Sequence, residues 1–218
     1  MYIITGLGRC GTSILIKYLK DVGFEIGHNV HWHPEVNAGF ELSTFYSPVD
    51  DLYQRYIKKG LPINLDDEAL GDYWKGNTYR EIFNHIDKDE KQGQVDVVKD
   101  PRITWHPDII EALWECRKDI KLIICHRKPE DVMGSRDSLS ARYGDPKPRR
   151  SLDEYKVDFC DFFTKVIELE IPYMILYFPA FMFYPHKFHR DLCNFGLRHE
   201  YKQESIDLFE TWRYRDGR

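Results

Sequence analysis

Tyr2-Ile3-Ile4-Thr5 runs straight into Gly6-Leu7-Gly8-Arg9-Cys10-Gly11-Thr12-Ser13, and Ile14, Leu15, Tyr18 and Leu19 follow at helical spacing. An apolar strand, a glycine loop and the start of an amphipathic helix together build a phosphate-binding nest. The glycines let backbone N–H groups approach an anion, and the helix N-terminus attracts it. The spacing is that of a Walker A loop, G-x-x-x-x-G-K-[ST], with Thr12 standing where the lysine belongs. That lysine neutralises the β and γ phosphates, so its loss keeps the anion cradle and disfavours ATP or GTP turnover. Arg9 is the cation left inside the loop. With no ligand, the same residues make a glycine-rich strand-to-helix turn carrying a surface arginine.

Outward from the loop, short β-branched or apolar runs recur at residues 2–5, 95–98, 121–125 and 173–177, with helix-length segments between them. This alternation predicts an α/β protein of three layers, α/β/α, around a central, mostly parallel sheet. Residues 107–117 place Ile109, Ile110, Leu113 and Trp114 on one helical stripe, with Pro107 at a favoured first position. Pro129 opens the next helix in the same way. Ser151-Leu152-Asp153-Glu154 is a capping box, and Val157, Phe162, Val166 and Leu169 of the helix it starts are expected to face the sheet. Residues 144–150, with two prolines and three basic residues, read as a mobile linker. Residues 28–77 are less regular, with one helix expected at 50–59. They read as a substrate-side insertion within a single domain spanning residues 1–218.

A chain of 218 residues is long enough to bury roughly 70% of its unfolded surface without disulfide or metal staples. Thirty-one Lys and Arg against thirty-six Asp and Glu give a net charge of −5, which argues against a nucleic-acid partner or an anionic membrane surface. An anionic ligand must therefore be met by a local cluster of positive groups. Cys10, Cys116, Cys125, Cys160 and Cys193 are scattered and form no C-x-x-C pair, which fits a reducing, cytoplasmic setting. No export signal is visible at the N-terminus. The most apolar stretch, residues 171–184, is too short to span a bilayer and is interrupted by Pro172 and Pro179; it reads as a buried strand running into a loop.

Arg9-Cys10-Gly11-Thr12-Ser13 resembles the 5′-phosphosulfate loop of sulfotransferases that use 3′-phosphoadenosine 5′-phosphosulfate (PAPS). In that loop a basic residue and a small one precede Gly, Thr, and Thr or Ser. A second element of that family is a strand ending in Arg, with a helical Ser eight residues later. Arg127 and Ser135 in HRKPEDVMGS match it. Val98-Lys99-Asp100-Pro101-Arg102 is similar to the K-[DT]-P-R strand end of bacterial and carbohydrate sulfotransferases, and Gly39-Phe40-Glu41 is similar to their G-[FY]-W-E segment, without its tryptophan. The likeness runs in motif order over residues 1–142. Arg9 in place of a lysine, Ile14 in place of an adenine-contacting tryptophan, and the missing C-terminal R-K-G segment set the chain nearer the bacterial and carbohydrate type than the cytosolic phenol and steroid enzymes.

The resemblance implies PAPS as sulfuryl donor and the 3′,5′-bisphosphate PAP as product, with no metal required. Gly8, Arg9, Cys10, Gly11, Thr12 and Ser13 would hold the 5′ end, and Arg127 with Ser135 the 3′-phosphate. The acceptor would be a hydroxyl or amine of a small molecule or carbohydrate. Sulfuryl transfer needs in-line geometry and stabilised oxygens more than covalent catalysis, a task suited to Arg9 and the loop amides. Lys99 would touch the transferring group or the acceptor. A general base is drawn from Glu41, Asp100, His31, His33 and His106, with Glu41 first; Glu41 as a solvated loop residue and Asp100 as the ion-pair partner of Lys99 and Arg102 are the competing readings. His28, His31 and His33 form an H-x-x-H-x-H cluster with no cysteine near it, and no metal is expected there. Two alternatives remain open: a P-loop nucleotide or small-molecule kinase with a degenerate Walker loop, and a non-catalytic nucleotide-binding module.

Overall fold

A computed structural model describes residues 1–26, 30–33, 38–42, 96–105, 107–143, 151–207 and 209. Four strands, β1 (Tyr2–Thr5), β4 (Val97–Lys99), β5 (Lys121–His126) and β6 (Tyr173–Tyr177), form one parallel sheet in the order β4-β1-β5-β6. Ile3 lies level with Val98 on one side and Leu122 on the other, and Ile124 lies level with Ile175. A separate antiparallel hairpin, β2 (Val30–His33) with β3 (Ala38–Leu42), sets His31 opposite Glu41. β3 packs beside α1 (Thr12–Asp21) and β4.

Side chains of a strand alternate between its two faces, so a parallel sheet must be covered on both. Ile4, Val97, Ile123, Cys125 and Leu176 pack against Ile14, Leu15, Tyr18 and Leu19 of α1. The same layer holds the short helix α5 (Ala180–Phe183), α6 (Pro185–Phe195) and Phe209, with the Phe188 ring centroid about 5 Å from those of Tyr18 and Phe181. The opposite face, which takes Ile3, Val98, Leu122 and Ile124, is covered by α2 (Pro107–Cys116), α3 (Pro129–Tyr143) and α4 (Leu152–Glu168). Leu7, Val132 and Tyr155 form a smaller buried cluster there. The layers are therefore α/β/α, as the strand and helix alternation predicts. No helix of the described residues is long and apolar enough to cross a membrane.

Three local expectations change. β4 begins two residues later than the 95–98 run suggests, because the Asp96 carboxylate is taken up by the Glu25 amide at 3.0 Å and Asp96 N–H donates to the Glu25 carbonyl. The 171–184 stretch is neither buried throughout nor a strand into a loop. β6 is the edge of the described sheet, with Tyr173, Ile175 and Tyr177 exposed, and a helical turn, α5, follows it. The reason is uneven cover: Leu176 is held under α5 and α6, whereas on the other face Tyr173 meets the Phe163 ring of α4 and Tyr177 the His126 ring. Val157 of α4 is 55% exposed and turns away from the sheet, while Phe162 and Val166 are buried as expected. The expected helix at 50–59, the linker at 144–150 and His106 lie outside the described residues, as does most of the 28–77 insertion.

From β1 the chain passes to β4, then returns across β1 to β5. The order of strands therefore reverses between β1 and β5, and in an open α/β sheet the crevice at the carboxyl ends of those two strands is where ligands collect.

Candidate active site

The loop after β1 holds a conformation that few residues tolerate. At Gly6 a side chain would meet the Cys125 carbonyl oxygen and the Cys10 sulfur, so the loop approaches β5 more closely than any Cβ allows. Gly8 N–H donates to the Gly6 carbonyl at 2.7 Å. Arg9 sits at φ 55, in the left-handed region, without being a glycine, a strain that is more usual at functional positions than elsewhere. Gly11 caps α1 at φ 88, and a Cβ there would run into the Phe178 ring.

α1 begins with no side-chain cap. Leu15 N–H to Gly11 O, at 3.1 Å, is its first internal bond, so the N–H groups of Thr12, Ser13 and Ile14 stand outside the helical ladder at the positive end of its dipole. Cys10 contributes only backbone here: its side chain is buried against the core, where loss of solvent pushes the thiol up to about 12. Its neighbour Cys125 is likewise raised by burial.

Basic groups converge on this helix start from two other segments, and a hydroxyl from a third. Lys99, the last residue of β4 and almost wholly buried, donates from Nζ to Ser13 Oγ at 3.1 Å. An ammonium thus reaches the loop from the neighbouring strand, beside the position where a Walker lysine would have supplied one. Arg127, just past β5, donates from its Nη1 to the Arg9 carbonyl at 3.2 Å and lies over the Phe178 ring, 5.0 Å from its centroid. Arg9 Nε donates to Ser135 Oγ at 3.2 Å. Ser135 lies about two turns into α3, which starts at Pro129 and so turns this hydroxyl back to the crevice. The structure therefore brings together residues 8–13, Lys99, Arg127 and Ser135.

Asp100 is fully buried at the same sheet end, and its N–H extends the β1–β4 ladder to the Ile4 carbonyl. Glu41 is placed on β3 opposite His31, on the separate hairpin.

Phe178 went unnoticed in the sequence. It forms a floor shared by Gly11 and Arg127, held by its N–H to the His126 carbonyl at 2.7 Å. The signal available for it was positional, an aromatic residue directly after the fourth strand. Thr5 Oγ1, His126 Nδ1 and Arg127 Nε, at the carboxyl ends of β1 and β5, are buried without a hydrogen-bond partner among the described residues. Burial also lowers the His126 pKa, which favours the neutral ring. Buried polar atoms left unpaired beside an uncapped helix start are what an anionic ligand would satisfy.

Comparison of the fold with solved structures finds similar architectures. The sulfotransferase domain of the Synechococcus PCC 7002 olefin synthase is similar with a TM-score of 0.54 at 14% identity, over 94% of this chain and 74% of that one. The sulfotransferase domain of the curacin biosynthetic pathway gives 0.54 at 16%, over 94% and 76%. Sulfotransferase STF9 from Mycobacterium avium gives 0.52 at 15%, over 100% and 68%. The chain has a sulfotransferase fold. No protein-family model matches its sequence, and no curated protein matches it at a significant level.

Proposed function

We propose that this protein transfers a sulfuryl group from PAPS to a hydroxyl or amine of a small-molecule or carbohydrate acceptor. The observation that carries the reading is the uncapped start of α1 ringed by Lys99, Arg9 and Arg127, on a sulfotransferase fold whose loop lacks the Walker lysine. Among the described residues Arg127 Nε has no hydrogen-bond partner and the N–H groups of Thr12, Ser13 and Ile14 lie outside the helical ladder, which fits a ligand with anions at both ends.

PAPS supplies an activated sulfuryl group whose bond to the 5′-phosphate breaks as the acceptor oxygen or nitrogen bonds to sulfur, the acceptor proton passing to a base. The amides of residues 11–14 and the Thr12 and Ser13 hydroxyls bind the 5′-phosphate. Lys99 Nζ and the Arg9 guanidinium stabilise charge on the transferring and leaving oxygens. Arg127 and Ser135 receive the 3′-phosphate, exchanging their contacts to Arg9 for contacts to ligand. Glu41 remains the first candidate for the base, with Asp100 second.

Incubation with 35S-labelled PAPS and a panel of sugar, phenol and amine acceptors tests the activity directly, with labelled product expected in the absence of magnesium. In parallel, thermal shifts should be larger for the 3′,5′-bisphosphate than for AMP or ATP, since ligand that binds the native state stabilises it by RT ln(1 + [L]/Kd). Magnesium-dependent ATP turnover would turn the assignment to a kinase; tight bisphosphate binding with no sulfated acceptor would leave a binding module.

A further inference from the structure

Towards the carboxyl end of α1, away from the phosphate loop, Tyr18 meets a second cluster of chemically capable side chains. His189 and Cys193 lie one turn apart on the same face of α6. The helix ends at Gly196, whose φ of 111 lets the chain fold back, so that His199 returns over the same turn. The three residues offer ligand atoms that all lie within 4.8 Å of one another, and each side chain is half-buried.

The hydrogen bonds fix which atoms carry lone pairs. A backbone carbonyl only accepts, so the 2.7 Å contact to the Leu197 oxygen places the proton of His199 on Nδ1 and leaves Nε2 bare. That one lone pair accepts from the Tyr18 hydroxyl at 2.9 Å, and His189 Nδ1 lies 3.2 Å from the same atom. Cys193 Sγ lies 3.7 Å from His189 Nε2.

We propose that His189, Cys193 and His199 form a zinc site of the two-histidine, one-cysteine type, with His199 bound through Nε2. A tetrahedral zinc ion, with bonds of about 2.0–2.1 Å to nitrogen and about 2.3 Å to sulfur, sets its ligand atoms roughly 3.3–3.6 Å apart. The chain holds one ligand atom of each residue within 4.8 Å of the others, so side-chain rotations that draw them in by about 1 Å complete the site. The donation of His199 Nδ1–H to a carbonyl is the outer contact that metal-bound histidines usually make, orienting the ring before the ion arrives. Imidazole and thiolate together select zinc over the oxygen-loving magnesium and calcium. On binding, the Cys193 thiol gives up its proton as the sulfur–zinc bond forms, and water completes the coordination. The ion would tie the end of α6 to the segment that follows it, taking the place of the Tyr18 hydroxyl on His199 Nε2, independently of sulfuryl transfer. The sequence offers only H-x-x-x-C-x-x-x-x-x-H, a pattern interrupted by a helix end.

The full chain, stripped of metal by chelator and titrated calorimetrically with Zn2+, is expected to take up a single ion and release about one proton. With Co2+ it should develop a thiolate-to-metal absorption band. Cys193→Ser should abolish that band, and Cys193→Ser or His199→Gln should each weaken zinc by roughly a hundredfold or more, beyond the loss typical of an outer contact. A His31→Gln/His33→Gln variant should bind as the wild type does. Wild type that takes up no zinc, or wild type that shows no cobalt band, overturns the site even if the variants fold poorly. So does a Cys193→Ser chain that binds zinc undiminished.

Discussion

Two helix starts in this fold answer the same electrostatic problem in opposite ways. α4 closes on itself: Ser151 Oγ accepts from the Glu154 amide at 3.2 Å, and the Glu154 carboxylate accepts from the Ser151 amide at 2.6 Å. α1 begins at a left-handed glycine, has no side-chain cap, and draws Lys99, Arg9 and Arg127 around it instead. Both termini leave N–H groups that need an acceptor. A start that satisfies them internally adds stability, whereas one that leaves them open and surrounds them with cations is a ready anion site.

The comparison breaks most visibly at Arg9. Arg9→Ala should lower the transfer rate by about 10²–10³-fold while weakening the bisphosphate less, since its contribution is expected mainly in the transition state. Single-turnover kinetics beside equilibrium titration will separate the two, and near-native turnover would remove Arg9 from the chemistry. Next comes Arg127→Ala, expected to cost about 1.5–3 kcal/mol of bisphosphate affinity, roughly ten- to hundredfold, and to leave AMP nearly untouched. Ser135→Ala should repeat that pattern at smaller amplitude, whereas equal losses for both nucleotides would mean that Arg127 supports the fold or the 5′ end.

The open start also depends on its backbone. Gly11→Ala should destabilise the chain by about 2 kcal/mol or more, because the alanine must hold φ 88 against the Phe178 ring. Urea unfolding of Gly11→Ala, Phe178→Leu and the double variant should give a double loss smaller than the sum; strict additivity would show that the ring and the glycine do not meet. Least affected is the closed start. Ser151→Ala should cost about 1 kcal/mol of stability with bisphosphate affinity unchanged, a pairing that calorimetry and thermal melts check together.

Both helix starts were legible because each is written in adjacent residues. Gly6 to Ser13 specifies its turn by glycine spacing, and Ser151 with Glu154 specifies a cap by an interval of one helical turn. The strands were legible too, with β5 and β6 found almost to the residue, since apolar runs need no partner to be recognised. What failed was what depends on the neighbour: the exposure of Ile175 follows from the thin cover on its face of β6, and the outward turn of Val157 from how α4 sits on the sheet. The contact of Lys99 with Ser13 joins residues 86 apart, and its motif suggested only that it lay near the chemistry. Phe178 and the grouping of His189, Cys193 and His199 needed the third dimension altogether.

The burial of Cys10 makes the phosphate loop its own clock. A thiol held near pKa 12 carries almost no thiolate at neutral pH, and alkylating reagents attack thiolate. Cys160, exposed on α4, and the half-buried Cys193 meet such reagents from the native surface. Cys10 reacts only while the loop has swung away from Cys125 and Gly6. The pace at which it is labelled therefore counts excursions of the nest from its folded shape, one molecule at a time, without any substitution in the chain.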